Sequence, residues 1–456
     1  MTPQPDKAGG SATAPALPRS PAHFGLNLAA LGAALPAMWL FTQWRPGDWL
    51  GAMICGCLAL ATVIGSADLL WFGGYCLPTS GLAPTPVVSL SLSRVATRLL
   101  GLAATLAAVA FAYWLFPEYR ESFYVEGSAS FYAPCRQLIK RIAGPVLVAA
   151  PLYFAWADRH QAEHRDAYWQ IGALLCRQQK AADTDWPVLH AHATGWLVKA
   201  FFLPLMVVFL SDNLRSLAGA LKELPKLDMA LFEFCVQLSF AVDLLFCVVG
   251  YTLTLRLFDA HIRSTEPTVL GWLAALVCYK PFNALISGSY LNYDDDLTWG
   301  QWLAPHPVLC MFWATAIVAL LFIYAASTAA FGLRFSNLTR RGIITGGPYR
   351  FSKHPAYLAK NASWWLISVP FVSHAGWAEA LRNCCLLALF NLIYFVRART
   401  EERHLGRDPD YVAYASWIED HGLLRGLGRL LPVLRYRPPA GPAAPVGRRN
   451  GRKRIL

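Results

Sequence analysis

Residues 305–331 read PHPVLCMFWATAIVALLFIYAASTAAF, and this run contains no Asp, Glu, Lys or Arg. A helix that crosses the hydrocarbon core of a bilayer needs about 20 mainly apolar residues. Stretches of similar character occur at 24–44, 49–72, 95–116, 142–157, 195–211, 229–255, 268–288, 355–373 and 381–398. The sequence therefore predicts an all-α, polytopic integral membrane protein with about eight to ten transmembrane helices.

The composition agrees with that fold class. Of the 456 residues, 55% are hydrophobic and 15% are charged, whereas soluble domains usually carry about 25% charged residues. The two weakest spans are 142–157, which is short, and 268–288, which contains Lys280-Pro281. A proline is tolerated inside a membrane helix where neighbouring groups satisfy the freed carbonyl.

The distribution of basic residues indicates the orientation. The segment 332–354 has five basic residues and no acid, whereas 291–303 has Asp294, Asp295 and Asp296 and no Lys or Arg. By the positive-inside rule, and with ten spans, both termini are expected in the cytoplasm. The loop 118–141 contradicts this assignment, because it contains basic residues although the ten-span topology places it outside. We expect the protein in a bacterial inner membrane or an equivalent cell membrane.

Four parts are predicted along the chain. Residues 1–22 form a disordered tail, 23–303 a multi-span membrane region, 304–437 a helical membrane core, and 438–456 a basic disordered tail. That last tail carries +5 of the net charge of +12. Basic segments beside membrane spans attract anionic lipid headgroups, so the bilayer is the expected partner, and nucleic acid is not. The sequence identifies no protein partner.

The polar loop before the span at 355–373 is a candidate site. Gly347-Pro348-Tyr349-Arg350 cannot continue a helix, and Lys353-His354-Pro355 then opens the next one with Pro in a favourable first position. His354 is therefore predicted at a helix N-terminus on the membrane surface, where free backbone N–H groups favour an anionic group. Tyr357 follows on the first turn.

A second polar segment ends the last span. Arg397 and Glu401 are four residues apart and are predicted to pair along the helix. Glu402 follows directly, and adjacent residues do not share one helix face. A short antiparallel hairpin between the two spans would return these acids to the membrane face that carries His354.

These groups suit a ligand that carries both charges. Carboxylates and aromatic rings suit a cation, and arginine with a helix N-terminus suits a carboxylate. S-adenosylmethionine has a sulfonium, an amino group and a carboxylate, although the residues alone do not single it out. The chain has no Cys-x-x-Cys or His-Glu-x-x-His spacing, so no metal site is predicted.

The run Gly347-Pro348-Tyr349-Arg350, Lys353-His354-Pro355-x-Tyr357, then Arg397-x-x-x-Glu401-Glu402-x-x-Leu405 and Tyr411-x-x-Tyr414, resembles the isoprenylcysteine carboxyl methyltransferase family. It also resembles the wider group of membrane methyltransferases that includes phospholipid methyltransferases. The resemblance covers roughly 305–430. It implies a methyltransferase-like helical core that binds S-adenosylmethionine at the cytoplasmic face.

The resemblance also implies roles for single residues. The matching cofactor-binding positions are His354, Pro355, Tyr357 and Glu402, with support from Tyr349 and Arg350. Arg397 matches the arginine near the acceptor carboxylate, and Glu401 joins it in the catalytic set. Lys353 stands where the family commonly has Arg, and Ala359 stands where Gly is common.

The expected function is S-adenosylmethionine-dependent methylation of a hydrophobic or membrane-resident acceptor. That acceptor is either the carboxylate of a prenylcysteine-like compound or a lipid, and an amine acceptor would require Glu401 or His354 as a base. Two alternatives stay open. A sterol-reductase-like enzyme using NADPH has a similar His-Pro-x-Tyr turn, and a transporter or scaffold would use the N-terminal spans, where Asp68 and Asp243 are the mid-span acids.

Overall fold

The computed structural model describes residues 17–125, 130–161, 163–224, 229–293 and 297–437. The predicted tail 438–456 lies outside the described residues, as do the first part of the predicted tail 1–22 and the acidic residues 294–296. The described end of the N-terminal tail packs on the protein, because the hydroxyl of Thr345 donates to the carbonyl of Pro18 at 2.7 Å and Ala22 is buried.

The described chain is mainly helical with almost no strand, which confirms the predicted fold class. Its α-helices are α1 (Phe24–Trp44), α2 (Trp49–Ala67), α3 (Leu92–Leu115), α4 (Pro117–Tyr124), α5 (Ala133–His160), α6 (Ala167–Leu175), α7 (Trp186–Glu223), α8 (Met229–Thr252), α9 (Val269–Leu276), α10 (Phe282–Leu285), α11 (Trp299–Leu303), α12 (Pro307–Ala329), α13 (Pro355–Ser368), α14 (Trp377–Leu405), α15 (Pro409–His421) and α16 (Arg425–Leu430). One sheet of two short antiparallel strands, β1 (Ser264–Thr265) and β2 (Thr339–Arg340), joins two loops.

Eight of the described helices are long and apolar enough to cross a membrane. They are α1, α2 with a π-helical extension to Phe72, α3, α5, α7, α8, α12 and α14. Short polar side chains start several of them; for example, Asp48 accepts a hydrogen bond from the backbone N–H of Gly51 at 2.9 Å. Such a cap satisfies a donor that the first turn of a helix would otherwise leave unpaired.

Two predicted spans do not form single long helices. The segment 268–288 breaks into α9 and α10 around Pro281, because proline supplies no N–H to continue the helix. The segment 355–373 is helical only to Ser368, since Val369 adopts a left-handed conformation with φ +38° and Pro370 follows. The residue before a proline is disfavoured in the helical region.

The broken segment nevertheless carries the chain across the helical layer. Pairing of β1 with β2 places the loop after α8 beside the loop after α12. At the opposite end of α12, the indole N–H of Trp313 donates to the carbonyl of Leu366 near the end of α13, at 2.8 Å. The described residues between α9 and α11 therefore lie between the first face and the second. We call the face at which α12 ends and α13 begins the site face.

Arg341 connects the loops of the site face through hydrogen bonds. Arg341 is 2% exposed, and its guanidinium donates to five backbone carbonyls, those of Gly250, Leu253, Ala260, Leu333 and Phe335. These carbonyls belong to the end of α8, to the loop after it and to the loop after α12. One side chain thus fixes the position of β2 and of the polar loop that leads to α13.

The mid-span acid Asp243 has neighbouring hydroxyl partners. The hydroxyl of Tyr324 donates to its Oδ2 at 3.0 Å, and the hydroxyl of Thr328 donates to its Oδ1 at 2.5 Å. Asp243 on α8 therefore hydrogen-bonds two side chains of the neighbouring helix α12. Its contacts are explained by packing against α12 and give no support to an ion pathway.

Candidate functional site

The start of α13 holds His354 at the site face, as the Pro355 signal predicts. His354 is the residue before the helix, its backbone N–H donates to the Oγ of Ser352 at 3.2 Å, and Pro355 is buried as the first helical residue. The preceding turn is fixed from α15, where the hydroxyl of Tyr414 donates to the carbonyls of Tyr349 and Ser352 at 2.8 and 3.2 Å.

Glu402 on α14 approaches His354 across the seam between the two helices. The Nε2 of His354 lies 3.2 Å from Oε1 of Glu402, and Nζ of Lys353 lies 2.9 Å from the same oxygen. Arg399 donates to the other oxygen at 2.5 Å. Lys353 also reaches Glu419 on α15 at 2.7 Å. The lysine that stands in place of the expected arginine therefore bridges two carboxylates as a point charge.

Arg397 and Glu401 do not contact each other in the way that their spacing predicts. The hydroxyl of Tyr357 donates to Oε2 of Glu401 at 2.8 Å. Arg397 donates to Oδ1 of Asn337 at 2.6 Å, and its guanidinium carbon lies 5.1 Å from the ring centre of Tyr357. Neighbouring segments thus supply the partners that an intrahelical pair would have supplied.

Two adjoining cavities open around these residues. The first, which we call the groove, has a volume of about 300 Å³ and is formed by α13, α14, α15, α16 and the segments that flank them. Its polar lining comprises Ser352, Lys353, His354, Tyr357, Asn361, Asn391, Tyr394, Arg399, Glu402, Glu419 and Arg425, and its apolar lining includes Phe351, Leu358, Phe395, Ile418, Leu424 and Leu427.

The second, which we call the central cavity, has a volume of about 80 Å³. Its lining comprises Glu266, Gly271, Thr328, Phe331, Phe335, Ser336, Asn337, Leu338, Thr339, Tyr349, Lys353, His354, Ala356, Tyr357, Arg397, Thr400, Glu401, His404 and Leu405. Lys353, His354 and Tyr357 line both cavities and so form the wall between them.

The two adjacent glutamates face different cavities. Glu402 lines the groove, whereas Glu401 and Arg397 line the central cavity. Successive residues of an α-helix are rotated by about 100° because a turn takes 3.6 residues, so neighbouring acids point in different directions. The arrangement can hold one ligand on each side of a common wall of imidazole and phenol.

The other predicted residues differ in how close they lie to the cavities. Tyr349 lines the central cavity, and burial followed by the charge of Glu401 raises its pKa well above the usual value, so its phenol stays protonated. Pro355 is buried and positions His354 through the backbone. Arg350 is exposed and lines neither cavity.

Glu266 and His404 are site residues that the sequence analysis did not identify. Nδ1 of His404 lies 3.8 Å from Oε2 of Glu266, and its Nε2 lies 2.9 Å from Oγ of Ser264. The pairing of β1 with β2 brings residue 266 to the C-terminal end of α14. A pair of two-residue strands leaves no periodic signal in the sequence, so spacing could not have revealed this contact.

One comparison with known proteins finds a match, and it lies in the part of the chain that carries these motifs. Neither the curated proteins nor the solved structures give a significant match. The match that is found begins in α12 and ends just after α14, and it contains His354, Tyr357, Arg397 and both glutamates. Residues 308–407 match the model of the isoprenylcysteine carboxyl methyltransferase (ICMT) family, which confirms the resemblance and makes this part of the chain similar to a membrane methyltransferase.

Proposed function

We propose that this protein is a membrane methyltransferase that uses S-adenosylmethionine to esterify the carboxylate of a hydrophobic, prenylcysteine-like acceptor at the cytoplasmic membrane face. The observation that carries the proposal is the common wall of Lys353, His354 and Tyr357 between two cavities. The groove presents Glu402 and the central cavity presents Arg397. The family match favours methyl transfer over reduction with NADPH.

The residues of the groove fit S-adenosylmethionine. Lys353 and Arg399 offer cations to its carboxylate, and Glu402 offers a carboxylate to its ammonium or sulfonium. Asn361 and Asn391, joined by a 2.8 Å hydrogen bond, offer amides for a polar heterocycle. A volume of about 300 Å³ lies at the lower end of the range of about 300–1,000 Å³ for ligand pockets.

Arg397 has the position to orient an acceptor carboxylate beside the wall. When bound, S-adenosylmethionine supplies a methyl group that a carboxylate oxygen takes while the methyl–sulfur bond breaks and leaves its electron pair on sulfur. A carboxylate is already ionised at neutral pH, so no side chain has to remove a proton. The methyl carbon and the acceptor oxygen have to meet directly where the two cavities adjoin, and His354 and Tyr357, which border both cavities, would align the two ligands there and exclude water.

The orientation of the site follows from the positive-inside rule. The site face contains the basic loop 332–354, so we assign this face to the cytoplasm, where S-adenosylmethionine is available. An acceptor with an alkyl chain would reach the site from the bilayer, which explains why an enzyme with a water-soluble cofactor is embedded in a membrane.

Binding of S-adenosylmethionine to the purified protein, measured by calorimetry, tests the cofactor assignment. His354→Ala and Glu402→Ala should each weaken binding about 10- to 150-fold, as expected for loss of roughly 1.5–3 kcal/mol from a hydrogen bond to a charged group. Glu379→Ala is the matched control, because Glu379 lies at the other end of α14 and pairs with Arg382. Unchanged affinity in both folded site variants would contradict the proposal.

A further inference from the structure

The chain that follows α15 exposes large apolar side chains. Leu423 and Leu430 are 76% and 78% exposed, although both follow α14, the last helix that is long enough to span a membrane. Where a protein surface presents such side chains close together, the patch usually contacts a partner or a membrane. We call residues 422–437 the terminal segment. Its exposed leucines indicate a partner outside the described chain.

The short helix α16 of the terminal segment separates apolar from basic side chains. Arg425 and Arg429 are four residues apart and share one side of the helix. Leu427 lies two residues from each of them, which is about 200° around the helix axis and so nearly opposite. Leu430 lies on the apolar side, about 60° from Leu427. A helix with one apolar and one basic side is typical of segments that lie in the interface plane of a membrane.

The charge of the terminal segment indicates which partner covers it. The segment contains four arginines and no acidic residue. Arg435 lies 3.7 Å from Glu419 on α15, whereas Arg425 and Arg429 are exposed and form no ion pair with any described residue. An anionic lipid leaflet matches this surface, because its headgroups supply the opposite charge and its acyl chains accept the leucines. A second copy of the segment would instead bring like charges together.

Contacts place the terminal segment beside the lipid-facing surface at the site face. The backbone N–H of Leu423 donates to the carbonyl of Phe351, just before α13, at 2.7 Å. Leu427 lines the groove together with Phe395 of α14. Leu392 lies about one turn from Phe395 on this spanning helix and is 51% exposed, as a side chain that faces lipid would be. The apolar side of α16 therefore continues the surface that α14 presents to the bilayer.

The helix α16 also forms a wall of the groove, which it lines with Leu424, Arg425, Leu427 and Gly428. The hydrogen bonds that join the terminal segment to the rest of the described chain lie on either side of α16. Before it, Leu423 is joined to Phe351. After it, the backbone N–H of Tyr436 donates to Oε1 of Glu419 at 2.9 Å. Apolar contacts hold α16 itself in the wall, so its position is sensitive to what covers its outer side.

We propose that the terminal segment lies on an anionic lipid leaflet, with its arginines at the headgroups and its exposed leucines among the acyl chains, and that this contact holds α16 in the wall of the groove. The inference rests on the proposed function for the identity of the ligand in the groove. Lipid and S-adenosylmethionine both favour the same position of α16, so each should raise the affinity of the protein for the other.

Purified full-length protein in nanodiscs of phosphatidylcholine alone, or of phosphatidylcholine mixed with phosphatidylglycerol, tests this inference. Calorimetry should show that S-adenosylmethionine binds about fivefold or more tightly with the anionic lipid, the effect of roughly one arginine near an anionic surface. Amide hydrogen exchange of residues 422–437 should be slower in the same discs. Arg429→Gln and Leu430→Ser should each reduce both effects. Arg382→Gln is the matched control and should retain them, because it removes an exposed arginine at the other end of α14.

The outcomes separate the inference from the proposed function. Equal affinity in both kinds of disc, or a lipid effect that Arg429→Gln and Leu430→Ser both retain, overturns the inference and leaves the methyltransferase proposal standing. Slower exchange in anionic discs without a gain in affinity overturns the coupling to the groove. Exchange that slows with rising protein concentration in detergent would show that a second copy covers the segment, and also overturns the inference. A protein that binds no S-adenosylmethionine in either disc overturns the proposed function, while hydrogen exchange still decides whether the segment lies on anionic lipid.

Discussion

Under the proposed function, Asn337 shares Arg397 with the acceptor carboxylate, and Asn337→Asp tests this role of Arg397. The amide oxygen of Asn337 accepts from Arg397 at 2.6 Å, and its Nδ2 donates to the hydroxyl oxygens of Tyr251 and Tyr279 at 2.9 and 3.2 Å. Aspartate has the same shape and adds a negative charge beside the guanidinium. Phenol hydroxyls rotate to donate as readily as they accept, so the two tyrosines can bond the new carboxylate and the fold should remain intact.

The expected size of the effect follows from the contact that is lost. The carboxylate introduced by Asn337→Asp would compete directly with the acceptor carboxylate for Arg397. A hydrogen bond to a charged group contributes roughly 1.5–3 kcal/mol, so kcat/KM for the acceptor should fall about 10- to 150-fold. Affinity for S-adenosylmethionine should not change, because Asn337 lines the central cavity and not the groove.

The assay is steady-state methyl transfer with varied acceptor, combined with calorimetry for the cofactor. Asn337→Ala is the matched comparison, since it removes the same contact without adding a charge and should be much less impaired than Asn337→Asp. Wild-type acceptor kinetics in Asn337→Asp would refute the role given to Arg397. A loss of affinity for S-adenosylmethionine with unchanged acceptor kinetics would show that Arg397 acts on the ligand of the groove and not on that of the central cavity.

Two further substitutions test the packing that holds the site. Arg341→Lys leaves at most three donors for five carbonyls, so at least two hydrogen bonds of roughly 1.5–3 kcal/mol each are lost. The thermal unfolding midpoint of the variant in detergent should therefore fall clearly. An unchanged midpoint would exclude the structural role of Arg341. Gly172→Ala should also destabilise the protein, because a Cβ there would overlap the carbonyl of Thr97 on α3. Gly32→Ala on α1 is the control, since apart from its chain neighbours and its own helix backbone no atom lies within 4 Å of the point that its Cβ would occupy, and alanine in place of glycine there should stabilise the helix by about 0.5–1 kcal/mol.

The membrane-spanning helices could be predicted from apolar length because the bilayer imposes that length on any continuous helix. Prediction was wrong where local backbone chemistry ends a helix inside an apolar run. Pro370 was a visible signal that the helix from Pro355 stops early, since the residue before a proline avoids the helical conformation. Apolarity alone therefore overestimates the length of a helix where a proline follows inside the apolar run.

The contacts around the groove were largely predictable, whereas in the central cavity Arg397 and Glu401 were predicted and Glu266 and His404 were not. His354 and Glu402 lie at the ends of two consecutive helices, so chain reversal alone brings them to one face. Glu266 lies far before His404 in the chain, and the two meet because the segment from β1 to α9 packs against the end of α14. Non-local contacts of that kind depend on tertiary packing, which residue spacing does not encode.

The two cavities are lined by different parts of the chain. Every residue that lines the groove lies between Phe351 and Leu434, within the predicted core 304–437. The central cavity adds Glu266 and Gly271 from the predicted region 23–303, and Arg341 ties that region to the site through the end of α8. The division at residue 304 stays a prediction, but contacts cross it at the cavity that we assign to the acceptor. Cofactor binding should therefore be a property of the C-terminal helices, whereas acceptor choice should depend on the membrane region that precedes them.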